Sequence, residues 1–255
     1  MFKNIYNYRE FFKTSVSKEF RGKYKKSALG VLWSFINPLL QILVYSVVFS
    51  FITRSNIDNY TIFLIVGLIP WNFFSNTIMQ STPSIVINGG IIKKIYFPRE
   101  ILPISVVTSN LINFLISCLI IVIALFISGI GITRYALFFP LILLLQYSFL
   151  IGMSLVISSV TVYIRDLEHF VNVLLMLWLY ATPVLYEASL IPVKLQTLFK
   201  LNPMYHIIGA YRDILYYQVL PDFKDLGIMF IVCTIFFMFG YSIFKKLEKR
   251  FAEEL

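Results

Sequence analysis

Charge is what this chain has least of. Only 14% of its 255 residues are Asp, Glu, Lys or Arg, against about 25% in an average soluble domain. Long uncharged runs then imply a helical protein that crosses a membrane several times, because a chain in lipid must satisfy its backbone polar groups internally. Cysteine is equally scarce. Cys118 and Cys233 both lie in apolar runs and read as small buried hydrophobes, not as a disulfide or metal pair. No G-x-x-x-x-G-K-[ST] phosphate loop occurs, which excludes the common nucleotide cradle. The apolar runs themselves hold no Asp, Glu, His, Lys or Arg, which argues against proton coupling and against a charged ion filter. Internal repeats, low-complexity tracts and an apolar leader at the charged N-terminus are lacking too, so no cleaved signal is expected.

What is present is apolar and basic. Hydrophobic residues make up 58% of the chain and the formal net charge is +9, with a mean hydropathy of +0.79. The placement of the basic residues points to membrane topology and anionic lipid and not to nucleic acid. Residues 1–26 hold eight Lys/Arg, and Phe2, Ile5, Phe12, Val16 and Phe20 share one helical face interrupted by Arg9. This predicts a basic amphipathic helix on the membrane surface or folded onto protein, with Gly22 as its breaker.

Six spans follow: residues 29–52, 60–83, 101–128, 135–163, a short one over 171–186, and 226–244. Gly152 in the fourth allows a close helix approach. Residues 84–96 are expected to form an amphipathic surface helix. Residues 188–220 are too apolar for a loop, yet Pro192 and Pro203 break them, so they read as two outer re-entrant half-helices. A tail, residues 245–255, ends the chain. Sixteen Lys/Arg fall on segments assigned to the inside and six on those assigned to the outside, which puts both termini in the cytoplasm. The expectation is one all-α transmembrane domain over residues 1–255.

Within the spans the polar groups are amides: Asn37, Gln41, Asn72, Asn76, Asn110, Asn113 and Gln146. Amides and aromatics suit a neutral, hydroxyl-rich substrate; amides also hold membrane helices together. Both readings stand on the sequence. Glu187, His206, Arg212 and Asp213 form an outer titratable group without zinc-like spacing. Residues 89–103, GGIIKKIYFPREILP, join basic, aromatic and turn-forming residues between two spans. They are a cytoplasmic turn or the docking point of a soluble partner. If transport is active, its energy must come from another polypeptide.

Taken together, SALGVLWSFINPLLQILVYSVVFSFI, GLIPWNFFSN, KKIYFPREILP, VYIRDLEHF, TPVLY and NPMYHIIGAYRD resemble the permease subunit of type-2 ABC exporters for lipid-linked polysaccharide, the translocators of O-antigen, capsule and teichoic acid. The resemblance spans nearly the whole chain. It implies a homodimer in the cytoplasmic membrane with two copies of an ABC ATPase that binds ATP and Mg, so that this chain itself carries no cofactor and is no enzyme. It implies a glycan on undecaprenyl diphosphate as substrate. ATPase coupling falls on Lys93, Lys94, Tyr96, Phe97, Arg99 and Glu100. Channel residues map to Phe35, Asn37, Gln41, Tyr45 and Phe49 on span 1 and to Trp178, Thr182 and Tyr186 on span 5, each set spaced as one helix face. Arg21, Lys23, Lys25 and Lys26 are candidates for the lipid diphosphate or the membrane surface. The rivals are a type-2 permease for a drug or lipid, a membrane-bound transferase using the outer carboxylates and His206, and a passive channel.

Overall fold

The computed structural model describes residues 1–25, 27–53 and 57–255, and among these there are helices and no strand. Lys26 and Arg54 lie outside the described residues. The helices are α1 (Phe2–Asn7), α2 (Arg9–Tyr24), α3 (Trp33–Thr53), α4 (Tyr60–Ser81), α5 (Ser84–Ile87), α6 (Gly89–Ile92), α7 (Ile101–Ile127), α8 (Phe139–Thr161), α9 (Leu167–Tyr180), α10 (Val193–Lys200), α11 (Pro203–Leu215), α12 (Phe223–Leu247) and α13 (Phe251–Glu254).

Five of the described helices are long and apolar enough to cross a membrane: those within Gly30–Phe49, Tyr60–Ser81, Ile101–Ile127, Arg134–Thr161 and Phe223–Glu254. The chain is an all-α, multi-pass membrane protein. The fifth expected span, residues 171–186, is shorter than its sequence suggested. α9 stops at Tyr180, so its 14 residues reach about 21 Å against a hydrocarbon core of about 30 Å. Pro183 lacks the N–H to continue the helix, and residues 181–187 run as turns. Trp178, Thr182 and Tyr186 therefore do not share one helix face.

α4 is the axis of the fold. Its Phe63, Leu64, Val66 and Phe74 are wholly buried, and it packs against α3, α7, α8 and α11. α8 and α12 cross closely because Gly152 and Gly240 meet backbone to backbone, and a Cβ on either would collide with the partner helix. This is the close approach that small residues permit in lipid. Beyond α7, Gly129 and Gly131 take φ of 77° and 73°, where the left-handed backbone favours glycine.

Both termini and residues 89–100 gather at one end. There the Met1 ammonium donates to Tyr241 Oη at 3.1 Å, and Leu255 packs beneath Gly89. At the far end, Tyr60 Oη donates to the Leu185 carbonyl at 2.7 Å, and Gln218 Nε2 to the Ile130 carbonyl at 2.8 Å. The expected half-helices over 188–220 correspond to α10 and α11. Their junction is set by Asn202, whose side chain accepts from Met204 N and so caps α11 ahead of Pro203.

Two local expectations are corrected. Gly22 does not break the N-terminal helix, since nothing crowds it and α2 runs on to Tyr24; the interruption is at Tyr8. Residues 84–96 form two single turns, not one amphipathic helix, because Asn88 turns its amide back onto the Ser84 carbonyl at 2.8 Å. The tail folds back on the bundle, with Phe251 of α13 buried against Phe244, ring centroids 5.6 Å apart.

Candidate functional site: an amide-lined cavity and its basic wall

In the half of the molecule nearer the termini lies a cavity of about 540 Å³. Ser34, Asn37 and Gln41 reach it from α3, Asn72, Asn76 and Gln80 from α4, and Asn110, Asn113 and Ser117 from α7. Helix α2 closes one wall. Its apolar face packs on α7 with Val16 buried, and Lys18 Nζ donates to Asn88 Oδ1 at 2.8 Å. Val16 of the amphipathic stripe is thus covered by this protein's own helix, while Ile5, Phe12 and Phe20 are half-buried.

That docking swings the end of α2 into the cavity. Lys23 Nζ donates to Asn110 Oδ1 at 2.7 Å, and Asn110 Nδ2 donates onward to Gln80 Oε1 at 3.1 Å. Tyr24 Oη and Ser34 Oγ both donate to Asn113 Oδ1, at 2.6 and 2.5 Å. Asn72 Nδ2 donates to Gln41 Oε1 at 2.7 Å. The side chains of Asn37 and Asn76 line the space without a hydrogen bond to another described residue. Lys23 is the one charged group among the described lining residues. Burial lowers its ammonium from 10.5 to about 8, although Glu19 pulls the other way.

The structure gathers most of these amides in one place, where some also bond helix to helix. Six of the seven singled-out amides line the cavity. Gln146 does not: it is wholly buried, donates to the Pro70 carbonyl at 2.9 Å and accepts from Tyr211 Oη at 3.1 Å. Gln80 and the inward turn of Lys23 were missed by sequence reasoning. Gln80 does lie one helical turn beyond Asn76, a spacing that places both on one face.

The remaining expected site residues scatter. Phe35, Tyr45 and Phe49 are half-buried on α3 outside the cavity lining, with the Tyr45 and Phe49 rings 6.3 Å apart. Trp178 Nε1 donates to Asn202 Oδ1 at 2.9 Å, Thr182 is buried and accepts from Asn202 Nδ2 at 2.8 Å, and Tyr186 Oη donates to the Tyr180 carbonyl at 2.6 Å. The two bonds to Asn202 fasten the end of α9 to the cap of α11, and the third folds residues 181–186 back onto α9. Arg21 and Lys25 are exposed.

The stretch expected to meet an ATPase divides in two. Lys93, Lys94 and Tyr96 are exposed, Tyr96 to 90%. Phe97 is buried against Phe11, centroids 4.7 Å apart. Arg99 donates to the Glu248 carbonyl. Glu100 has no exposed side-chain surface and accepts from Lys245 Nζ at 2.9 Å and from Asn4 Nδ2 at 3.0 Å. Burial raises the Glu100 carboxyl, but the bonds from Asn4 and Lys245 and the ammonium charge outweigh it, so the carboxyl sits below its ordinary range.

This architecture of crossing helices around a polar cavity has known relatives. A family model described as ABC-2 type transporter matches residues 10–216. The chain belongs to the ABC-2 type transporter family. Among its relatives, the O-antigen export system permease protein RfbA of Myxococcus xanthus is 34% identical over 255 residues, which cover 99% of this chain and 98% of that one. An RfbA of Klebsiella pneumoniae is 38% identical over 94% of this chain and 92% of its own. The polysialic acid transport protein KpsM of Escherichia coli is 23% identical over 91% of each. An ABC-2 permease is a transport subunit, and the cavity sits where its crossing helices enclose polar surface.

Proposed function

We propose that this chain is the membrane-spanning subunit of an ATP-driven exporter that moves a polysaccharide, carried on undecaprenyl diphosphate, across the cytoplasmic membrane. The observation that carries this reading is the cavity: uncharged amides and aromatics in a membrane protein, with one ammonium at the wall. Amides exchange hydrogen bonds with sugar hydroxyls, since each offers both a donor and an acceptor. A single cation marks a place for one anionic group, and Lys23 would meet the diphosphate there. The names of the relatives support the same substrate class.

In this reading ATP and Mg are bound by a separate ABC ATPase, two copies of which serve a homodimer of this chain, with both termini in the cytoplasm. Lys93, Lys94 and Tyr96 offer the ATPase an exposed basic and aromatic surface. Phe97, Arg99 and Glu100 act behind that surface. They tie it to α1, α2 and the end of α12, and α2 carries Lys23 to the cavity. Displacement of residues 93–96 would thereby be felt at Lys23.

Deleting the gene in its own cells tests the proposal. The expected outcome is loss of surface polysaccharide with lipid-linked glycan accumulating inside, restored by the intact gene. Unaltered surface polysaccharide would refute it. Purification of the chain should bring down an ABC ATPase.

A further inference from the structure

A free amide plays two roles, since its oxygen accepts and its NH2 donates. Around Lys23 the amides have each given one role to a neighbour. We infer that this wall of the cavity presents donors alone, so that Gln80 and Asn113 join Lys23 in holding one phosphate group, with Asn110 as the residue that positions them. The inference rests on the export reading only for the source of that anion, the diphosphate of the carried lipid.

Asn110 sets the polarity. Its side chain is 3% exposed, and its orientation is forced from both sides. Oδ1 accepts from the Lys23 ammonium at 2.7 Å, where an NH2 would set donor against donor. Nδ2 donates to the Val106 carbonyl and to Gln80 Oε1, each at 3.1 Å. Both of its hydrogens are thereby committed. Gln80 therefore turns its oxygen to Asn110 and its NH2 away, and that NH2 makes no hydrogen bond to another described residue. Asn113 reaches the same state by another route. Its Oδ1 takes the hydroxyl hydrogens of Tyr24 and Ser34 at 2.6 and 2.5 Å, which fill both lone pairs. Its NH2 has no acceptor among the described residues. An ammonium has three N–H groups, so Lys23 keeps two after its bond to Asn110.

These donors are within reach of a ligand. Gln80 is exposed, Lys23 and Asn113 are half-buried, and all three line the cavity. Asn110 and Asn113 stand three residues apart on one face of α7, and the residues that bond them, Lys23 and Tyr24, are neighbours on α2. No carboxylate is among the described lining residues. Glu19, one turn before Lys23, is the acid that pulls on its ammonium. A surface of donors alone repels a cation and leaves the hydrogen of a hydroxyl unmatched. It suits a group that only accepts, and hydrogen bonds to an ionised oxygen are roughly twice as strong as neutral ones. Asn37 and Asn76 keep both roles and are left for the hydroxyls of a sugar.

The test titrates the full chain in lipid nanodiscs with farnesyl diphosphate and, separately, with inorganic pyrophosphate. Wild type should bind farnesyl diphosphate at pH 7. Pyrophosphate bound equally well would show that the diphosphate group alone is read; weaker pyrophosphate binding, that it is read on its lipid. Gln80→Leu, at an exposed position, should weaken binding about tenfold, the loss of one charge-assisted hydrogen bond. Gln80→Glu keeps the bond from Asn110 but sets a carboxylate oxygen in place of the NH2, and should weaken binding further. Asn110→Leu should weaken it about tenfold and also lower the pH at which binding fades, because an acceptor on the ammonium favours its charged form. A packing role alone would leave that pH where it is. Glu19 and Tyr24 on α2 are the other titratable groups beside Lys23, and α3, α4 and α7 bring none to the described lining. Should Asn110→Leu fail to fold, the two Gln80 variants decide. Binding of neither probe, binding unchanged in both Gln80 variants, or an unmoved pH in folded Asn110→Leu overturns the inference. Binding that ignores these residues, with surface polysaccharide still dependent on the gene, removes only this wall. Binding that depends on them, in a protein whose deletion leaves surface polysaccharide intact, removes only the export reading.

Discussion

Helices α3 and α4 have nearly equal hydropathy, 1.7 and 1.6 over their most apolar windows, yet 11% of the first window is buried and 78% of the second. Hydropathy reports that a helix can enter lipid and is silent about which neighbour covers it. In α4 the apolar residues surround the helix, with Phe73 stacked on Phe114, centroids 4.9 Å apart, and Phe74 edge-on to Trp178 at 5.0 Å. In α3, Leu39, Leu40, Leu43, Val44, Val47 and Val48 point away from the chain. One helix organises the fold. The other offers its outer face to lipid or to a second copy.

Truncation separates these roles most sharply. Phe74→Ala, at a wholly buried position, should cost about 3–5 kcal/mol. Leu43→Ala, at a position 59% exposed, should stay within about 0.5 kcal/mol. Thermal unfolding of the purified protein in detergent measures both. A large loss at Leu43 would show that a second copy covers α3, and the contrast between the helices would disappear.

Next in size is the lock at the terminal end. Glu100→Gln removes a buried charge that holds α1 and α12 together. Breaking a buried pair costs about 3–5 kcal/mol, and the lower end applies because Lys245 is 31% exposed and keeps Glu248 at 2.8 Å. The acid response follows. A carboxyl whose folded value is depressed stabilises above its unfolded value, near 4.5, and that stability is lost as pH falls through the folded value. Wild type should therefore hold its advantage over Glu100→Gln at neutral pH and lose it only below about 4.5. Equal stability at neutral pH would make the lock incidental.

The cavity asks for the opposite behaviour, function without stability. The side chain of Asn76 lines the space and makes no hydrogen bond to another described residue. Asn76→Leu should leave the unfolding temperature within about 2 °C and reduce export of polysaccharide severalfold in cells. Loss of fold instead of export would make Asn76 a packing residue like Gln146.

Much of this was legible in sequence and some was not, for physical reasons. Long apolar runs mark α3, α4, α7, α8 and α12 because length and hydropathy are local properties. Pro203 behind Asn202 announced the break before α11, a capping pattern readable from neighbours alone. Span 5 misled because 171–186 is apolar throughout, while Thr182-Pro183 ends the helix regardless of hydropathy. The coupling stretch was hard to read for a different reason. Tyr96 and Glu100 are four residues apart, yet one is nearly free and the other sealed, and the sealing groups come from Asn4 and Lys245. No local pattern contains a partner 145 residues away. The same holds for Lys23, whose place in the cavity depends on α2 lying across α7.

Lys23 gives the most specific effect. With burial lowering its value to about 8, the ammonium is largely charged at pH 7 and largely neutral at pH 9. Affinity for an anionic probe such as farnesyl diphosphate should fall about tenfold across that interval, measured by titration in nanodiscs. Stability should move the other way. The unfolded chain holds this proton up to about 10.5 and the folded chain only to about 8, so the unfolded state binds more protons between them and folding gains as pH rises. Lys23→Gln should abolish both slopes. Binding that survives in Lys23→Gln without the slope would assign the anion to Arg21 or Lys25 on the exposed surface, and would leave the cavity to neutral sugar alone.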